Sequence, residues 1–182
     1  MIVISVIVVC EWGKGTVFFI FENLILVFMM INLVKTTAES VDFQRLSRAL
    51  DIDLRQRDGD DHAFFAQFNK IDMLQYVLVA YNEAGEAVAC GALKPYLDLA
   101  NTMEVKRMYV EPQHRGKGIS KAVLQSLESW AAALGYSHLV LETGWKMPEA
   151  IALYRGQGYE EIENYGPYVG VALSVCFEKW VG

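Results

Sequence analysis

The chain has 182 residues, a formal net charge of −6 and a hydrophobic fraction of 53%, with an isoelectric point near 5.1. That length is one domain of ordinary size, able to build a core without staples. The acidic balance excludes a general nucleic-acid binder, which would carry a basic face. Cys10, Cys90 and Cys176 are isolated, odd in number and without metal-ligand spacing. They read as small buried hydrophobes of a reducing compartment, with no metal expected and a cytoplasmic location.

Residues 1–31 differ in character from the rest of the chain. Positions 2–10 are apolar apart from Ser5, and 17–34 are apolar except Glu22, Asn23 and Asn32. A membrane helix needs about 20 mostly apolar residues, and Glu22 and Asn23 interrupt the only run of that length. A basic n-region and a small-residue cleavage site, which a signal peptide would show, are missing. Three readings stand: a start set too early, with Met29 or Met30 the true one; a hydrophobic anchor; or a packed extension. The expectation is a domain over 32–182 that does not need residues 1–29, with membrane attachment not expected.

In chain order, 32–36 is a short strand, and Ser40 is an N-cap that opens a helical region with Val41, Leu46 and Leu50. Gly59 turns the polar stretch 51–62, and a second short helix covers 63–69. The β-branched and aromatic run 76–81, the turn at 82–85 and the run 87–93 form a hairpin. Strand 104–110 comes next. Helix 116–134 carries Ile119, Val123, Leu127, Trp130 and Leu134 on one apolar stripe, with Gly135 as its stop. Strand 138–142 leads to a helix opened by Pro148 and closed by Gly158. Runs 162–168 and 171–177 are a final pair of strands.

Two motifs carry chemistry. Gln113, Gly116 and Gly118 lie between a strand end and a helix start. The glycines let the backbone approach a ligand without a Cβ in the way, and the adjoining helix points its unsatisfied N–H groups at the same spot. That geometry suits a diphosphate. His114, Arg115, Lys117 and Lys121 form a positive cluster there. Cations oppose the dipole at a helix N-terminus, so an anion among them is the simpler arrangement. The second motif, 150–159, reads Ala-x-x-Leu-Tyr-x-x-x-Gly-Tyr, with Tyr154 and Gly158 at its fixed places.

Together with the order of elements over about 32–179, these two motifs resemble the GNAT N-acetyltransferase superfamily, especially its small bacterial-type members. The resemblance implies an α+β fold, with a mixed and mostly antiparallel sheet of about six or seven strands and about four helices. It implies an acetyl-CoA-dependent N-acetyltransferase that acts on a primary amine of a small molecule or amino acid by direct transfer in a ternary complex. Acetyl-CoA would be the co-substrate, and the chain would be a monomer or homodimer.

The same resemblance assigns site residues. The diphosphate falls on the N–H groups of 114–118, and Gln113, His114, Arg115, Gly116, Lys117, Gly118, Ile119 and Ser120 contact the coenzyme. The pantetheine arm runs beside Met108, Tyr109 and Val110 like an added strand. Tyr154 is the candidate acid for the departing thiolate, because a phenol stays protonated at neutral pH. Glu104 or Glu142 is the candidate base, acting directly or through water, although many members bind a neutral amine and need none. If the strand alternates without a bulge, Glu104 shares a face with Lys106 and Met108. Asn69, Asp72 and Tyr168 fall where members bind the acceptor. Residues 145–148 lack the Asn that many relatives use to hold the pantetheine arm.

A non-catalytic acyl-CoA-binding domain, serving as a sensor or interaction module, is the alternative. It would keep the glycines without needing Tyr154. A parallel nucleotide-binding α/β fold is contradicted by the hairpin 76–93.

Overall fold

The computed structural model describes the backbone of residues 7–12, 15–22, 25–26, 29–59, 65, 67–68, 70–72 and 74–181, with side chains from residue 31 onward. Its strands are β1 (Ile7–Trp12), β2 (Gly15–Glu22), β3 (Ile25–Leu26), β4 (Met29–Thr36), β5 (Tyr76–Tyr81), β6 (Ala87–Pro95), β7 (Thr102–Val110), β8 (His138–Gly144), β9 (Glu160–Ile162) and β10 (Ser174–Trp180). The described helices are α1 (Val41–Asp58), α2 (Ile119–Ala133) and α3 (Pro148–Gly156). The helix expected at 63–69 falls largely outside the described residues.

The sheet runs β1-β2-β4-β5-β6-β7-β8-β10-β9, with β3 beside β2. Within it strands β4 to β10 form a mixed seven-stranded sheet, the number and kind that the resemblance implied. Among the described residues its only parallel contact is β7 against β8, because α2 must cross over between them. The strand expected at 32–36 begins earlier, at Met29: its first residues pair with β2 and the rest with β5.

Alternation along β5 shows how the layers form. Val77 and Val79 pack with Phe43 and Leu46 of α1. Leu78 and Ala80 face the opposite way, onto Val123, Leu124 and Leu127 of α2 and Tyr154 of α3. The helices therefore sandwich the sheet, α1 on one face and α2 with α3 on the other. Ser40 caps α1 by accepting from the Phe43 N–H at 3.4 Å, and Gly135 beyond α2 is left-handed at φ 87°.

The final pair of strands differs from expectation. Only Glu160–Ile162 and Ser174–Trp180 are strands, and Gly166–Tyr168 is a single 3-10 turn. Pro167 has no N–H for a ladder, and Gly166 is left-handed at φ 51°, so an aromatic run that reads as a strand folds into a loop.

A bulge interrupts β7. Ala92 pairs with Lys106 and Cys90 with Tyr109, so Arg107 and Met108 together face Gly91. Arg107 is left-handed at φ 59°. The unbroken alternation expected for Glu104, Lys106 and Met108 stops there. A Cβ added at Gly91 would lie 2.7 Å from Met108 Sδ and 2.9 Å from Leu127 Cδ1, so those side chains would have to shift.

Candidate active site

β7 and β8 pair only at Thr102–Glu104 against His138–Val140. Beyond Glu104 the two strands part. From Val105 to Val110 the β8-facing edge of β7 has no strand partner among the described residues, and its peptide groups open onto a cleft of about 420 Å³. An extended chain laid there would gain main-chain hydrogen bonds, as an added strand does.

At one end of the cleft stands the glycine turn. Gly116 and Gly118 are left-handed, at φ 73° and 76°, and Gly118 is the residue before α2. The N–H groups of His114 and Arg115 are already used, on Glu111 and Pro112 carbonyls. Those of Gly116 to Lys121 find no acceptor among the described residues, and the first helical bond comes from Ala122 to Gly118. The run of unused donors therefore begins at 116 and continues into the first turn of α2.

Of the expected coenzyme contacts, Met108, Tyr109, Val110, His114, Arg115, Gly116, Ile119 and Ser120 line the cleft. Gln113, Lys117 and Gly118 do not, and the Gln113 amide is spent on Glu111. Arg115 lies at the cleft but is engaged: Nη2 donates to Asp53 at 2.8 Å and Nε to the Val110 carbonyl at 3.0 Å. Burial opposes ionisation of Asp53. Hydrogen bonds from Arg115 and Arg57 outweigh it and hold the carboxyl below its ordinary range.

Tyr154 and Glu142 face the same cleft. Tyr154 is pressed between Tyr159 and Phe177, and its hydroxyl makes no hydrogen bond to a described residue. Burial, and then the charge of Glu142, raise the phenol above its ordinary value, so it stays protonated. Tyr159 packs in the same core cluster.

Glu142 is pushed up to about 6 by burial, against the Ser174 hydroxyl bond and the charge of Lys106, which pull it down. A carboxylate with that value exchanges protons near neutral pH, as a general base must. Glu104 sits elsewhere. It is buried at the last paired position, takes the Tyr165 hydroxyl at 3.1 Å and Lys106 Nζ at 3.3 Å on one oxygen, and does not line the cleft.

Tyr168 lines the cleft and is buried, whereas Asp72 is exposed and is not among the residues that line it. Asn69 lies outside the described residues. In the segment that lacks an Asn, Met147 offers a buried apolar wall. Sequence reasoning missed Leu50, Asp53 and Leu54, one face of the last turns of α1. Their i, i+3, i+4 spacing was the available signal. Among the described residues, no group of three or more His, Cys, Asp or Glu could hold a metal ion, and no helix is long and apolar enough to cross a membrane.

The sequence model of the Acetyltransferase (GNAT) family matches residues 41–159. An IAA acetyltransferase of Azospirillum brasilense is 42% identical over 97 residues, which are 53% of this chain and 62% of that protein. The chain thus spans less than two thirds of the length of that relative. A crystal structure of an acyl-CoA N-acyltransferase from Klebsiella pneumoniae is 32% identical, with a TM-score of 0.69 over 84% of this chain and 98% of that one. A phosphinothricin acetyltransferase of Sinorhizobium meliloti, solved in complex with AcCoA, is 22% identical with a TM-score of 0.62 over 84% and 89% of the two chains. At that identity the likeness is one of fold.

Proposed function

Because the chain belongs to the Acetyltransferase (GNAT) family, we propose that it moves an acetyl group from acetyl-CoA to a primary amine of a small molecule or amino acid. Transfer is direct, within a ternary complex. The observation that carries this reading is the convergence at one opening of a strand edge without a partner, a helix start with six unused N–H groups among the described residues, a protonated phenol and a carboxyl near 6.

The diphosphate rests on the N–H groups of Gly116 to Lys121, and the pantetheine arm runs along the free edge of β7. The acceptor nitrogen attacks the thioester carbonyl carbon and loses its proton to Glu142, directly or through a water. As the C–S bond breaks, the electron pair goes to sulfur, and Tyr154 supplies the proton that converts thiolate to thiol. The phenol acts only once negative charge has reached the sulfur, so its contribution falls in the transition state. Both Cys90 and Cys176 are buried free thiols, pushed up to about 12 and about 11 by burial, which suits a reducing cytoplasm and leaves neither as a nucleophile.

The test is CoA release from acetyl-CoA across a panel of amines, beside calorimetry of acetyl-CoA binding. Turnover with at least one amine is expected. Tight acetyl-CoA binding without release for any amine would make the chain a non-catalytic acyl-CoA-binding domain.

A further inference from the structure

Lys106 and Tyr168 form a pair of donors that take no part in the proton transfers of the reaction. Both line the cleft. Lys106 Nζ donates to the Tyr168 hydroxyl at 3.1 Å and to Glu104 at 3.3 Å. Because the Tyr168 oxygen accepts, its own hydrogen must point elsewhere, and no described residue receives it. An ammonium has three donors, of which two are assigned, so Lys106 has one more to give. These two unused donors lie side by side in a place that is 12% exposed at the Lys106 side chain and 2% at Tyr168. Glu104 balances the lysine from outside the cleft, and its accepting oxygen is already shared with Tyr165.

Glu142, on the facing strand, is an acceptor, and the Asp58 carboxyl lines the same cleft. One oxygen takes the Ser174 hydroxyl at 2.7 Å, and the residue lines the cleft. The charge of Lys106 reaches it. One wall of the opening therefore offers two hydrogen-bond donors, one of them cationic, and the other an acceptor of the kind that receives an amine.

We infer that the acceptor is an amino acid: its carboxylate is received by Lys106 and the Tyr168 hydroxyl while its amine faces Glu142. The inference rests on the acetyl-transfer reading and narrows its acceptor. A carboxylate takes charge-assisted bonds that a neutral amide or a bare amine cannot replace, and each such bond contributes enough for roughly a 10- to 100-fold preference.

The experiment compares, in the full chain, three amino acids with their primary amides and their decarboxylated amines, reading kcat/KM from CoA release. The acids should exceed both neutral series by about tenfold or more. Tyr168→Phe, which removes one hydroxyl and keeps the ring, should erase much of that preference by raising KM for the acids more than for the neutral amines. Lysine alone cannot be removed without stranding the Glu104 charge, so Glu104→Gln with Lys106→Met removes both charges together and should abolish the preference. Amides or amines that match the acids in the native chain overturn the inference and leave acetyl transfer standing. Variants that lower turnover of acids and amines equally overturn it too, because the donors would then serve the thioester oxygen. No CoA release with any amine, while acetyl-CoA binds, removes the transferase reading itself.

Discussion

The two halves of the β7–β8 contact make opposite use of the same kind of strand. In the closed half, Thr102–Glu104 pair with His138–Val140 and every residue of the six is buried. Its polar atoms are tied within the protein: His138 lies 3.1 Å from the Thr102 hydroxyl and 3.1 Å from Glu178, and stacks on Trp180. In the parted half, Arg107 is held in a left-handed bulge by Asp51 at 2.7 Å and the Ser47 carbonyl at 2.8 Å, and the edge of β7 stays without a strand. Satisfied peptide groups hold a fold together, and unsatisfied ones at a protected edge make a binding site. Substitutions should therefore act mainly on stability in the closed half and mainly on chemistry in the parted one.

The largest effect belongs to the glycine turn. At φ 73° Gly116 disfavours any side chain on backbone grounds alone, and the space around it is open toward the cleft. Gly116→Val should weaken acetyl-CoA binding by about 100-fold or more, measured by calorimetry, from a branched side chain placed where the diphosphate lies together with strain of about 1–3 kcal/mol. Undiminished affinity would move the coenzyme away from this turn.

Tyr154→Phe should lower kcat by about 10²–10⁴-fold with KM for acetyl-CoA nearly unchanged. The melting temperature should hold, since the hydroxyl has no hydrogen-bond partner among the described residues to lose. A variant that keeps half of the native kcat, with chemistry rate-limiting, would leave Tyr154 as a core aromatic packed on Tyr159 and Phe177.

Glu142 distinguishes the halves through pH. The base is present above about 6, so kcat/KM should fall as pH drops through that value, and Glu142→Gln should lose this limb along with about tenfold or more of the rate. The linked effect on stability has the opposite sense. Its folded value lies above the unfolded one, so stabilisation tied to the protonated form is present below the unfolded value and disappears as pH rises through about 6. Glutamine, neutral throughout, should remove that decline in a melting series. The same substitution placed at Glu104, in the closed half, should leave the acid limb near 6 in place.

The smallest effect is expected farthest from the parting. A chain that starts at Met30 keeps the β4–β5 ladder from Asn32 to Thr36, with three strands between β4 and β8. Acetyl-CoA affinity and turnover should stay within about twofold and the domain should remain soluble. Aggregation of the shortened chain alone would show that β1 and β2 protect the edge of β4 from pairing with other molecules.

Local chemistry made many of these features legible. Alternation marked β5, the apolar stripe marked α2, Pro148 marked the start of α3, and two glycines before a helix marked the left-handed turn there, because each of these preferences is set within a few residues of chain. What neighbours in sequence could not reveal was decided by pairing across the sheet. The bulge at Arg107 has no sequence mark, since such a left-handed position ordinarily calls for glycine; contacts from α1 hold the arginine there. Glu104 and Glu142 are equivalent as sequence, both carboxylates on neighbouring strands. Only the point where β7 and β8 part made one a buried structural acceptor and the other a carboxyl that lines the cleft. The run at 162–168 carried strand-forming residues, yet Pro167 and the packing of Tyr165 and Tyr168 on one another and of Tyr165 on Tyr96 folded it over the site. The elements and the glycine turn have local causes, so the order of residues was enough to set them. Which carboxylate and which tyrosines face the opening was settled in three dimensions, because burial and charge balance arise only when distant strands meet.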